Sequence, residues 1–258
     1  MANENHGLWW DPPSWNPATG CSPVSPGCDN CWAAGMAKRF DGGDFSVKFH
    51  VERLGVPLRW RKPRRVFVCS TGDLFHKDVP NRDIQSVFNV IMRCHHEKKG
   101  HDFFILTKRP ERMRDLLSGQ CFLGLMPPNL HLGVSIENQA VDERIPILLQ
   151  TPAAKRFISV EPMLERINLK KYLAKRGINF IIFGCESGPH RRPISWADMI
   201  YSVNQCREAG VPVWVKQIGS NEDGTGKVIK DLDLFPPELR YRAIDAEHEL
   251  IELEMTGQ

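Results

Sequence analysis

The sequence predicts an α/β protein, a partial or full TIM-like (β/α) barrel with mostly parallel strands. Six short runs are almost continuously apolar and rich in β-branched or aromatic residues: RRVFVCS (64–70), HDFFILT (101–107), NLHLGVS (129–135), KRFISVE (155–161), INFIIFG (178–184) and VPVWVKQ (211–217). Such runs suit strands buried on both faces of a parallel sheet. The stretches between them carry helical patterns, and that alternation forces right-handed crossovers. A further strand expected over 15–20 brings the count to about seven, too many and too regular for a small two-layer fold.

Taken in order, the 15–20 strand leads into TGCSPVSPGCDNCWA (19–33), where Cys21, Cys28 and Cys31 are spaced C-x6-C-x2-C. The stretch NRDIQSVFNVIMRCHHEKKG (81–100) has Asn81 as a cap, apolar positions at Ile84, Val87, Phe88, Val90 and Ile91, and Gly100 as a stop. ISWADMIYSVNQCREAG (194–210) repeats the design, with Ser195 as cap and Gly210 as stop. A helical tail is expected after Pro236 and Pro237, so the chain divides into a barrel over 1–220 and a C-terminal helical extension over 221–258.

Composition narrows the class. Of 258 residues, 25% are charged and 41% hydrophobic, the proportions of an ordinary globular protein. No apolar run approaches the roughly 20 residues that cross a bilayer, and MANENHGLWW lacks a basic region followed by an apolar one. A soluble, cytoplasmic protein with no membrane partner is expected. The net charge of +3 is too mild to argue nucleic-acid binding, yet nine Lys and Arg fall between Lys38 and Arg65 against only Asp41, Asp44 and Glu52.

Eight cysteines without a secretion signal do not suggest a disulfide framework. Cys94 and Cys206 lie within helical patterns and Cys121 near a loop, while Cys69 and Cys185 stand at strand ends. The clustered three have three readings. Zinc would take a fourth ligand from afar, such as His6, His50 or another Cys. A [4Fe–4S] cluster held by three Cys would leave one iron open to a substrate or cofactor. Three unligated thiols in a Pro- and Gly-rich loop would oxidise easily.

In parallel α/β folds the site lies at the C-terminal ends of the strands. The residues there are Ser70, Thr71, Gly72 and Asp73; then Thr107, Lys108 and Arg109; Ser135 and Glu137; Ser159 and Glu161; Cys185 and Glu186; Lys216 and Gln217. Polar groups at nearly every strand end favour an enzyme.

A three-Cys loop after the first strand of such a barrel resembles the radical S-adenosylmethionine enzymes, whose usual loop is C-x3-C-x2-C; the first gap here is x6. A closer resemblance is to a phage-encoded and bacterial three-Cys-motif family of unknown function. It is carried by WNPATGCSPVSPGCDNCWA (15–33), STGDLFH (70–76), LTKRPERM (106–113), GVSIENQ (133–139), SVEPML (159–164), GCESGPHRRP (184–193) and WVKQIG (214–219).

The resemblance implies a [4Fe–4S] cluster on Cys21, Cys28 and Cys31, with S-adenosyl-L-methionine as cosubstrate and a flavodoxin- or ferredoxin-type reducing partner. Ser70, Thr71, Gly72 and Asp73 then face the methionyl amino group, and Ser135 and Glu137 the ribose. Glu161 and Glu186 hold the rest of the cofactor or the substrate. Arg109, Arg191, Arg192 and Lys216 take an anionic substrate, Lys108 serves the reaction beside them, and Cys185 returns a hydrogen atom to a product radical. The function so implied is a radical enzyme that modifies or repairs a nucleotide or nucleic-acid base. The alternative is a zinc-binding, nucleic-acid-interacting protein without radical chemistry.

Overall fold

A computed structural model describes residues 8–40, 42–122, 126–174 and 177–244. The described residues form two compact units: the first lies within residues 10–134 and 146–156, and the second within residues 8–9, 135–145 and 157–244. The division expected at 220/221 falls inside the second unit.

In the first unit, β1 (Ala18–Thr19) pairs antiparallel with β2 (Lys48–Phe49). Three strands, β3 (Arg65–Val68), β4 (Asp102–Thr107) and β5 (Leu130–Ser135, whose last residue belongs to the second unit), pair in parallel, with Val66 opposite Phe103 and Phe103 opposite Leu130. Parallel pairing follows from burial on both faces, which every residue of β5 shows. The crossover between β3 and β4 is α3 (Asn81–His96), which buries Ile84, Val87, Phe88 and Ile91 at helical spacing, while Val90, off that face, is only half-buried. Shorter helices are α1 (Trp32–Phe40), α2 (Val56–Arg59) and α4 (Pro110–Leu117), the last opening on Pro110 as its sequence suggests.

In the second unit, β6 (Lys155–Val160, entering from the first), β7 (Phe180–Gly184) and β8 (Val213–Gly219) are parallel, and β9 (Val228–Ile229) closes antiparallel on β8. Its core stacks Phe157 on Phe180 at 5.1 Å, with Trp9 against Phe157 at 5.6 Å. Its helices are α6 (Lys170–Leu173) and α7 (Trp196–Glu208), while α5 (Arg144–Gln150) starts in the second unit and runs mostly in the first. Ser195 caps α7 by accepting from Asp198 N at 3.1 Å, and Gly210 follows its end at φ +66°.

The mostly parallel α/β class is therefore present, and all six expected apolar runs are strands. Three local expectations differ. The first strand is two residues long, and beyond it Trp15 and Gly20 make only isolated parallel bridges, to Val68 and Gly72. Pro17 withholds a backbone donor that a longer strand needs. Asn81 does not cap α3; Pro80 holds that place, and Asn81 Oδ1 accepts instead from Arg112 Nη2 at 2.9 Å. The described part of the C-terminal segment has no α-helix: β9 is followed by 3-10 turns at Leu232–Leu234 and Pro237–Leu239, and Arg242 bridges antiparallel to Trp214. Residues 245–258 lie outside the described residues. No helix among the described residues is long and apolar enough to cross a membrane.

Candidate functional site

The three clustered thiols lie on one excursion of the first unit, closed at its base by the β1–β2 pair. Gly20 turns the chain out of β1 at φ +80°, with its α-carbon so close to the Ser46 carbonyl that any side chain would collide with it. Cys21 N then donates to Phe45 O at 3.2 Å. A 3-10 turn over Pro26–Cys28 and a second turn, Cys31 N to Cys28 O at 3.2 Å, deliver the chain into α1. Cys21, Cys28 and Cys31 are all free and half-buried.

Behind this loop the ends of β3 and β4 build a polar cluster. Asp73, 6% exposed, accepts from Thr107 Oγ1 at 2.8 Å, Phe75 N at 2.9 Å and Arg109 Nη1 at 2.7 Å. The same Arg109 Nη1 donates to Cys21 Sγ at 3.4 Å, while Nη2 donates to Ser22 O at 2.8 Å and Ser22 Oγ at 3.3 Å. His76 supports the loop from the other side. Its Nδ1 accepts from Asp78 N at 3.2 Å, which leaves Nε2 to donate to Ser22 Oγ at 2.7 Å. Burial, then the Arg109 charge, holds the His76 imidazole below its ordinary pKa and hence neutral. Burial also pushes the Cys21 thiol up, the Asp73 carboxylate adds to that, and Arg109 opposes both. Cys28 is near enough to contribute in the same direction.

Arg109 thus clamps a carboxylate, as its position suggests, but the carboxylate is Asp73 of its own chain. Lys108 beside it is half-buried and has no acidic partner among the described residues. Ser70 Oγ sits 2.6 Å from Ser14 Oγ, and Thr71 N donates to Asn16 Oδ1 at 3.3 Å, so this turn is held by the segment before β1. An added Cβ on Gly72 would lie 2.9 Å from Gly20 O, and the close approach there is between two stretches of the chain's own backbone.

The second unit gathers the remaining candidates at its own strand ends. Glu137 is fully buried; Oε2 accepts from Arg144 Nη1 at 2.9 Å, and the same nitrogen holds Ser135 O at 2.9 Å. Glu137 Oε1 has no partner among the described residues, a costly position for a buried acceptor unless a donor reaches it. Glu161 pairs with Lys216 at 2.8 Å and packs so closely on Gly184 that an added Cβ would lie 2.6 Å from Oε1. Glu186 accepts from Arg192 N at 2.8 Å and Nη2 at 2.6 Å. Arg191 Nη1 donates to Gly224 O at 3.3 Å. Cys185 is tied to β8 at Gln217: its N donates to Gln217 O at 3.1 Å and its O accepts from the side-chain Gln217 Nε2 at 2.7 Å, and burial pushes its thiol up to about 12.

Most of the strand-end residues named from the sequence therefore already serve one another, Asp73 with Arg109, Glu161 with Lys216 and Glu186 with Arg192. Ser22 and Arg144 are not marked by the sequence: Ser22 is hidden between two cysteines, and nothing in the spacing links Arg144 to Glu137.

A family described as a protein of unknown function (DUF5131) matches residues 5–245. The chain belongs to the DUF5131 family. No curated protein and no solved structure matches it. Membership covers both units and names no chemistry, so the donor set has to be judged by itself. Three free, partly exposed thiols on one loop, with a guanidinium N–H on the first, fit a thiolate-held metal centre in chemistry. Among the described residues no three His, Cys, Asp or Glu side chains are already gathered around one point.

Proposed function

We propose that the protein is a radical S-adenosylmethionine-type iron–sulfur enzyme acting on a nucleotide or nucleic-acid base. The observation that carries this reading is the loop with three free, half-buried thiols and no fourth Cys or His in its sequence, anchored at Cys21 by Arg109, which Asp73 holds. A [4Fe–4S] cluster there, with S-adenosyl-L-methionine and an electron from a flavodoxin- or ferredoxin-type partner, supplies a 5′-deoxyadenosyl radical.

Cys21, Cys28 and Cys31 would hold the cluster. Arg109 keeps the first thiol in place and lends it an N–H, and Asp73 orients Arg109. Lys108, without an acidic partner among the described residues, is left to meet a phosphate or another anionic group. In the second unit, Glu137 Oε1 is open to a hydroxyl donor, the role the resemblance gives it toward a ribose. Burial keeps Cys185 protonated, the form that has a hydrogen atom to give to a product radical, becoming a thiyl radical itself. Arg192 and Lys216 are already paired with Glu186 and Glu161, so a substrate anion would share them with those carboxylates. A partial (β/α) barrel belongs to the same proposal, supported by parallel strands with intervening helices in each unit.

Anaerobic purification with iron and sulfide analysis tests the reading. A brown protein with about four irons, colourless as Cys28→Ala, is expected. A colourless protein with one tightly held zinc sinks it and leaves the zinc-stabilised alternative.

A further inference from the structure

Two basic runs far apart in the sequence, RWRKPRR (59–65) and HHEKKGH (95–101), are folded against each other in the first unit. His101 Nε2 lies 3.2 Å from Pro57 O, and the Trp60 ring stands edge-on to His101 at 5.5 Å. Asp102 N donates to Arg64 O at 2.9 Å, and Gly100 is so close to Pro63 that an added Cβ would lie 3.1 Å from its ring. The contacts place both runs at the N-terminal ends of β3 and β4, on one face.

That face is strongly positive. Arg59, Arg61, Lys62, His96 and Lys98 are exposed. Residues 59–65 and 93–102 together hold eight Lys or Arg against Glu97 and Asp102, while the entire chain carries only +3. Glu97 is already paired with Arg93 at 2.6 Å and Lys99 at 3.5 Å, and Asp102 stands 3.5 Å from the His131 ring. Asp11 faces the same edge, its carboxylate accepting from Arg65 N at 2.7 Å.

We propose that this face binds the phosphate backbone of a nucleic-acid chain. Clustered Lys and Arg with few acids among them are the electrostatic footprint of such a partner. A membrane surface would also call for apolar anchors, and none of the exposed large hydrophobic residues among the described residues lies in either run. The position selects a polymer over a mononucleotide. The thiol loop and Arg109 lie at the opposite ends of these strands, and β4, six residues long, spans about 20 Å at roughly 3.3 Å per residue. That is roughly six nucleotides at about 3.4 Å of rise, so only a chain touches both ends. The inference rests on the nucleic-acid half of the proposed function and not on the cluster.

The test uses the full chain and a fluorescein-labelled oligonucleotide of about 20 nucleotides, single-stranded and duplex, with anisotropy read across about 50 to 300 mM salt. Arg61→Glu with Lys62→Glu, and separately Lys98→Glu, should weaken binding about 10-fold or more. The double variant should also reduce the slope of log affinity against log salt by about two, while Lys170→Glu in the second unit changes neither. Circular dichroism melts check that the variants fold. Absence of oligonucleotide binding at the lowest salt, equal losses in Lys170→Glu, or tighter binding to phosphatidylserine vesicles or polyglutamate overturns the proposal. A protein without iron that still binds the oligonucleotide through this face refutes the cluster alone; one with iron that does not bind refutes this inference alone.

Discussion

Arg109 reaches Cys21, Ser22 and Asp73 with one guanidinium, so the first thiol of the loop is tied to the ends of β3 and β4, whereas Cys28 and Cys31 are placed by local turns. Hydrogen bonds to a ligand atom typically govern metal affinity by 10- to 100-fold. Arg109→Gln should therefore shed iron from the loaded protein to a chelator about 10-fold faster, while Arg166→Gln, on a surface pair with Asp198, should not. Unchanged iron release would mean that Arg109 only props the loop. The residue types at these strand ends were legible in the sequence because parallel sheets put chemistry there. Their pairings were not, since Asp73 and Arg109 are 36 positions apart and only strand order makes them neighbours.

Elements were legible wherever a local rule acts alone. Ser195 caps α7 because its side chain meets the Asp198 amide within one turn, returning a hydrogen bond to Asp198 Oδ2 at 2.7 Å. Ser195→Ala should cost about 1 kcal/mol in urea unfolding, and Ser195→Asp should recover part of it. An unchanged midpoint in the alanine variant would show that the cap contributes nothing. Asn81 obeys the same local rule and loses, because Arg112 from α4 claims its oxygen and binds the carbonyls of His76 and Val79 beside it. The six apolar runs became strands since burial on two faces tolerates little else. The expected 15–20 strand shrank because Pro17 within it cannot donate, and the chain satisfies itself with bridges to Val68 and Gly72 instead.

At the scale of the whole molecule, stability should depend on two buried histidines of the first unit. His101 and His131 are held below their ordinary pKa of 6.5, in each case chiefly by burial. The unfolded chain therefore binds protons that the folded one refuses. The stability this represents is fully present above about pH 6.5 and is lost as pH falls below it. Urea unfolding from about pH 7.5 to 5.5 should show a falling midpoint, shallower in His131→Gln; a flat profile would contradict the assignment. The basic face is also a property of this scale, because residues 66–94 separate the runs 59–65 and 95–101 in the sequence. By itself the sequence determined the α/β class, the parallel strands and the three thiols on one loop, all set by short-range pattern and spacing. Only the tertiary structure decided which carboxylate Arg109 serves, which acceptor on Glu137 stays open and which two basic runs share a face, because these are distances between residues that the chain brings together only on folding.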